Sequence, residues 1–420
     1  MKNLFKKIIR EFHERELPGL HPRELRVPLD SGKIVSIIGP RRAGKTYFLY
    51  QIASHIDDIT DIIYINFEDE RFSMKKNDLQ FIIEAYLELY PDKRNPYLLF
   101  DEIQEIEGWD QFVRRIYDTF SKRIFLTGSS AKLLSREIAT SLRGRTVTYE
   151  LYPLSFREFL SFKNLRKSQI ITTREQSKTV NAFEQYMQRG GFPEVISFDQ
   201  DLMERIIKDY SSVMLLRDII DRYRLRNSIA VNSFFDRCLG NYAKEISITK
   251  LFNELKSLGV KITRESLYEF SKYFEEAFIV FPLTGISEKL NKKEIKKVYI
   301  IDHVLSNVMK YKYFENHGRN LENIVYIELR RSEKPVYFHK NKGECDFIVK
   351  EKNAVTSTIQ VCYTLTRENE KREILGLTEA MDKFGLNNGM ILTFNQENQL
   401  SVKGKNINIL PVWKWILEQP

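Results

Sequence analysis

The stretch Ile34-Val35-Ser36-Ile37-Ile38-Gly39-Pro40-Arg41-Arg42-Ala43-Gly44-Lys45-Thr46 decides how the chain is read. Ile34–Ile38 is a short apolar run of the kind that forms a buried strand. The residues from Gly39 to Thr46 fit the pattern G-x-x-x-x-G-K-[ST] in full, and a helical stretch starts near Lys45. Strand, glycine loop and helix in this order make an anion seat. Glycines let backbone N–H groups close around phosphate oxygens, and the helix N-terminus adds a favourable dipole. Lys45 is the expected partner of the β- and γ-phosphates, and the Thr46 hydroxyl the expected ligand of Mg²⁺. Gly39, Pro40, Arg41, Arg42, Ala43, Gly44, Lys45, Thr46 and Tyr47 are thus the expected nucleotide-contacting set.

Outward from this loop, strands and helices alternate. Asp61–Phe67 reads as a strand, Asp78–Tyr90 as a helix, Tyr97–Phe100 as a strand, Asp110–Phe120 as a helix, and Arg123–Thr127 and Thr146–Leu151 as strands. Such alternation predicts a parallel sheet covered on both faces. Tyr97–Phe100 runs into two carboxylates: Asp101 is expected to hold Mg²⁺, and Glu102 to polarise the attacking water. Together the two motifs predict a Mg²⁺-dependent ATPase. Downstream, Ser129 (or Thr127) is a candidate γ-phosphate sensor, with helix capping as the alternative for Ser129. Arg143 and Arg145 are candidates for an arginine that neutralises transition-state charge, in the same chain or on a neighbouring subunit, with plain surface arginines as the alternative.

Composition narrows the classes. Of 420 residues, 42% are apolar and 29% charged, which suits a multidomain globular protein. The 18 glycines and 12 prolines are too few for a collagen-like or low-complexity chain. No apolar run approaches the ~20 residues of a membrane span, and no apolar stretch follows the basic Met1–Arg10 as in a signal peptide. Cys238, Cys345 and Cys362 form no CxxC pair, and the six histidines show no zinc spacing, so a reduced, cytoplasmic protein is expected. The net charge of +9 permits contact with nucleic acid without requiring it.

Further motifs follow in order: Leu98-Leu99-Phe100-Asp101-Glu102-Ile103-Gln104, Leu126-Thr127-Gly128-Ser129-Ser130-Ala131, Tyr152-Pro153-Leu154-Ser155-Phe156-Arg157-Glu158-Phe159, Gly190-Gly191-Phe192-Pro193-Glu194-Val195 and Leu215-Leu216-Arg217-Asp218-Ile219-Ile220. Taken with the phosphate loop, this order resembles the prokaryotic predicted ATPases of the AAA+ superfamily that end in a domain of unknown function. The resemblance implies an α/β fold: an AAA+-like P-loop NTPase core with a parallel sheet, a helical lid, a winged-helix segment and a restriction-endonuclease-like tail. On this chain the expected divisions are an N-terminal helical arm (1–25), the ATPase core (26–155), the lid (156–245), the winged-helix-like segment (246–301) and the tail (302–420).

The tail follows the PD-(D/E)xK nuclease order of elements, with Glu322 on a leading helix, Asp346 on a strand and Gln360-Val361-Cys362 on the next. An active version wants an acid and a lysine where Gln360 and Cys362 stand. With that lysine missing, and Lys371 on the next helix as the substitute the sequence offers, the tail reads as an interaction or DNA-docking module without nuclease activity. In the winged-helix segment, Arg264, Tyr268, Lys272 and the basic turn Lys289–Lys297 form a candidate DNA surface. The expected function is an ATP-driven switch coupled to DNA, bound without sequence specificity, or to a protein partner through the tail. Alternatives are an ATP-gated scaffold and an ATP-regulated nuclease. An oligomer is compatible with either.

Overall fold

The computed structural model describes residues 1–72, 78–128, 142, 144–165, 172–286, 296–310 and 317–419. They divide into two compact units, Met1–Tyr152 and Pro153–Pro420. In the first, β1 (Ile34–Ile38), β2 (Ile62–Asn66), β3 (Tyr97–Asp101), β4 (Ile124–Gly128) and β5 (Thr146–Glu150) make one all-parallel sheet. Its strand order is β2-β3-β4-β1-β5. β1 and β4 are buried at every position, which is why they read as unbroken apolar runs rather than alternating ones. The helix Lys45–Ala53 packs Phe48, Leu49 and Ile52 with Val35, Ile37, Leu99 and Phe125 in one apolar core. Because all strands run the same way, the ends of β1, β3 and β4 open onto the same edge of the sheet.

The N-terminal helix packs within the first unit. The helix Lys2–Glu14 buries Phe5, Ile8, Ile9 and Phe12, one stripe at helical spacing, and Phe12 joins the core just described. Both ring nitrogens of His13 are engaged, one with the Tyr90 hydroxyl and one with the Ile62 carbonyl, each at 2.8 Å. Leu17, Leu20, Leu25, Val27 and Leu29 continue the packing, so residues 1–25 belong to the first unit.

In the second unit, β6 (Lys244–Glu245), β7 (Val280–Thr284) and β8 (Lys296–Ile300) form a small antiparallel sheet in the order β6-β8-β7. The helices Ile248–Ser257 and Arg264–Glu276 precede β7. A six-stranded mixed sheet follows, built from β9 (Val336–Lys340), β10 (Glu344–Glu351), β11 (Ala354–Val361), β12 (Asn388–Thr393), β13 (Asn398–Val402) and β14 (Lys405–Pro411). Its order is β13-β14-β12-β11-β10-β9, with the helix Glu370–Phe384 contributing Leu377, Ala380 and Met381 to its core. The segments expected at 156–245, 246–301 and 302–420 all fall within this one compact unit. Gly190-Gly191 ends a helix, as its sequence suggests, and also receives a carboxylate. A Cβ on Gly190 (φ +70°) would lie 2.3 Å from Asp302 Oδ1, and the Gly191 N–H donates to Asp302 Oδ2 at 2.6 Å. Among the described residues no helix is long and apolar enough to cross a membrane.

Candidate functional site

The site lies where β1, β3 and β4 end. Leaving β1, the chain turns through Gly39, whose Cβ, if present, would lie 2.1 Å from the Leu151 carbonyl oxygen just beyond β5. Only glycine fits there. Arg42 (φ +66°) and Gly44 (φ +92°) bend the loop back, and Gly44 starts the helix Lys45–Ala53 with no side-chain cap. The first N–H groups of that helix are therefore left for an anion. Arg23 braces the loop from outside, donating to the Ala43 carbonyl at 2.8 Å and to the Tyr152 carbonyl at 2.5 Å.

Four motif side chains converge. Thr46 Oγ1 donates to Asp101 Oδ2 at 2.7 Å. Lys45 Nζ donates to the Gly39 and Pro40 carbonyls at 3.2 and 3.1 Å and lies 3.4 Å from Glu102 Oε1. Thr127, at the end of β4, donates to Asp101 Oδ1 and accepts the Glu102 N–H at 3.0 Å. Gln104 Nε2 donates to the other Glu102 oxygen at 2.5 Å. Burial raises the Asp101 carboxyl above the usual carboxylate range, and the Thr127 and Thr46 hydroxyls pull it back. The paired oxygens of Thr46 and Asp101 suit a hard divalent cation, and the loop amides with Lys45 suit the phosphates it accompanies. Magnesium bound there would shield phosphate charge. Lys45 would trade its carbonyl partners for phosphate oxygens, and Glu102 would stay within reach of a water while Thr127 fixes its backbone.

Other expected members lie elsewhere. Arg145 precedes β5 at the opposite edge of the sheet: its carbonyl accepts the Ile34 N–H, and its guanidinium pairs with Asp118 at 3.2 Å and lies over the Tyr117 ring. The length of β1, roughly 13 Å at ~3.3 Å per residue, keeps it from the phosphates of its own loop. Ser129 and Arg143 lie outside the described residues. Arg41 turns to Glu68 at 3.3 Å, and Tyr47 is exposed beside Tyr50. Sequence reading missed Arg23, Gln104 and Tyr64, since nothing local marks a residue whose partner is reached only through the fold; Thr127 was named only as second to Ser129.

The second unit holds a second polar cluster, built around a lysine that comes from before the tail. Lys297 on β8 places Nζ 2.8 Å from Asp346, 3.1 Å from Glu322 and 2.6 Å from Glu344. It is only 3% exposed, so it does not belong to the candidate DNA surface. Lys371 is exposed. Tyr299 donates to Glu322 at 2.7 Å, and Gln360 bridges the Asp346 N–H and Glu373. Burial alone would lower the Lys297 ammonium, but the charges of Asp346 and Glu322 reverse this and raise it well above its usual range. Burial and the Asp346 charge push Glu322 up to about 7. Cys362 lies in the apolar core with Cys345, Ile348 and Leu377, and burial pushes its thiol up to about 12.

A P-loop at the end of β1, a carboxylate pair at the end of β3 and strand order β2-β3-β4-β1-β5 define an AAA-type P-loop ATPase domain. In agreement, residues 31–160 match a family described as an AAA domain, and residues 180–313 match a domain of unknown function, DUF8612. The chain is 38% identical over 409 residues to the uncharacterized protein MJ1544 of Methanocaldococcus jannaschii, covering 94% of this chain and 90% of that protein. It is 30% identical over 400 residues to an uncharacterized protein of Haemophilus influenzae, covering 93% and 95%. The chain belongs to the family of these proteins. Among solved structures, a Walker-type ATPase of Pyrococcus abyssi aligns with a TM-score of 0.43 at 14% identity, over 70% of this chain and 98% of that one. The ORC1 protein of Aeropyrum pernix in complex with DNA aligns at 0.29 and 12%, over 74% and 92%.

Proposed function

We propose that the first unit binds Mg²⁺ and ATP and hydrolyses the γ-phosphate, and that the chain uses this cycle as a switch on DNA. One observation carries the reading: Thr46 and Asp101 touch at 2.7 Å while Lys45 and Glu102 approach to 3.4 Å at one edge of the sheet, which supports assigning phosphate binding and water activation to this group. Roles divide by timing. Lys45 meets phosphate in the ground state, whereas Glu102 acts on water in the transition state.

DNA as the partner is supported by the net charge of +9 and by exposed Arg264, Tyr268 and Lys272 on one helix, although Lys272 shares its charge with Glu276 at 3.7 Å. In the tail, Lys297 fills the space between Glu322, Glu344 and Asp346 with an ammonium. This favours a docking module over a metal-dependent nuclease. ATP turnover measured with and without double- and single-stranded DNA, across a salt series, tests the switch. Stimulation that fades with salt is expected; a rate indifferent to DNA at low salt overturns the DNA reading and favours a protein partner. Metal-dependent plasmid cleavage that disappears in Asp346→Ala would overturn the docking reading of the tail.

A further inference from the structure

Asp101 has a third donor that neither motif accounts for. Tyr64, in the middle of β2, directs its hydroxyl to Asp101 Oδ2 at 3.1 Å, the same oxygen that accepts Thr46. β2 and β3 are parallel neighbours, with Tyr64 paired to Leu99, so the ring reaches along the sheet edge rather than straight across. Tyr64 is buried, and its ring is held from above by Phe12 of the N-terminal helix, stacked at 4.7 Å and 21°. Its hydroxyl in turn accepts from the Tyr50 hydroxyl at 3.4 Å, and Tyr50 accepts from Arg15 Nη1 at 3.4 Å. The Arg15 guanidinium also lies 5.5 Å from the centre of the Tyr50 ring. Every donor in this chain points the same way, from a guanidinium just past the N-terminal helix to the carboxylate at the end of β3.

We propose that Tyr64 is a positioning residue for Asp101, and that the N-terminal helix sets metal affinity at the nucleotide site through it. The proposal rests on the Mg²⁺-nucleotide reading above. A carboxylate that serves a cation through one lone pair must be kept from rotating, and outer hydrogen bonds do this. A Thr46 hydroxyl that gave a lone pair to a cation would still carry the proton it donates to Asp101 Oδ2, but in a direction set by the cation, whereas Tyr64 donates to the same oxygen from its fixed place on β2. The plane of the carboxylate is then fixed by Tyr64 on one oxygen and Thr127 on the other. The last link, at 3.1 Å, is the strongest of the three; the two at 3.4 Å are long for O–H or N–H donors and transmit less.

The test is equilibrium binding of a fluorescent ATP analogue to full-length protein, with Mg²⁺ titrated and, separately, in EDTA. In Tyr64→Phe the Mg²⁺ concentration for half-maximal effect is expected to rise about tenfold, the usual loss for an outer-shell partner, with affinity in EDTA unchanged. Tyr50→Phe, which leaves Asp101 untouched, is expected to shift the same midpoint in the same direction by a smaller factor. A role in folding alone would lower the thermal transition and weaken binding equally in both conditions, and that result overturns the proposal. So does a Tyr64→Phe titration that superimposes on wild type. If wild type itself binds nucleotide without regard to Mg²⁺, the functional reading fails and this proposal fails with it.

Discussion

Glu102 has a left-handed backbone, φ 51° and ψ 44°, which costs a non-glycine residue about 1–3 kcal/mol. The surroundings hold it there: Thr127 takes its N–H, while Lys45 and Gln104 flank its carboxylate. Thr127 thus serves the Asp101 carboxylate and the Glu102 backbone with one hydroxyl. Thr127→Val keeps the shape but leaves Asp101 Oδ1 and the Glu102 N–H short of a partner. We expect ATP turnover to fall about 10- to 100-fold with nucleotide affinity nearly intact, as measured by steady-state kinetics beside binding. Gly39→Ala belongs to the same scale. Its methyl group would meet the Leu151 carbonyl, so stability in denaturant titration should drop by about 1–3 kcal/mol even without nucleotide.

At the level of elements, a strand can carry a residue into a place its own neighbourhood does not announce. Lys297 ends the basic stretch that starts at Lys289, most of which lies outside the described residues, and by sequence reads as solvated surface. Yet β8 carries it into the carboxylate cluster with Glu344 and Asp346 of β10. Tyr64 reads as an ordinary strand aromatic, and only the β2–β3 pairing brings it to Asp101. By contrast, Lys45, Thr46, Asp101 and Glu102 were legible because each is fixed by the strand that immediately precedes it. The parallel sheet was legible for the same reason, since fully buried strands leave unbroken apolar runs. The β13–β14 hairpin was not, although Lys403 and Gly404 supply its left-handed turn and Ile407 and Ile409 its buried face. Its first strand, Asn398–Val402, is mostly exposed and shows little of the apolar pattern that betrays a strand. Lys297→Met should destabilise the second unit by about 3–5 kcal/mol, because it leaves buried carboxylates uncompensated. Glu322 gives a pH signature. Its folded value of about 7 exceeds the usual 4.5, so the stability it contributes is complete below pH ~4.5 and is lost as pH rises through ~7. The loss is at most ~3 kcal/mol, and Glu322→Gln should flatten this part of the profile in urea titrations between pH 5 and 8.

Across the whole molecule, an ATPase domain and a basic second unit make sense together if nucleotide state governs a charged partner. Sequence-independent binding to DNA would weaken with salt, each phosphate contact contributing about 0.9 to the log–log slope. Replacing Lys289, Lys292, Lys293 and Lys296 with Gln should flatten that slope, and Lys297 is excluded from the set because it is buried. An unchanged slope would remove these lysines from the interface. The central claim is the division of labour at the sheet edge, and phosphate release from ATP, measured beside nucleotide binding in wild type, Lys45→Ala and Glu102→Gln, tests it most directly. Wild type should turn over only with Mg²⁺, Lys45→Ala should lose binding, and Glu102→Gln should bind normally while turnover falls at least ~100-fold. A Glu102→Gln protein that hydrolyses ATP at the wild-type rate would contradict the account.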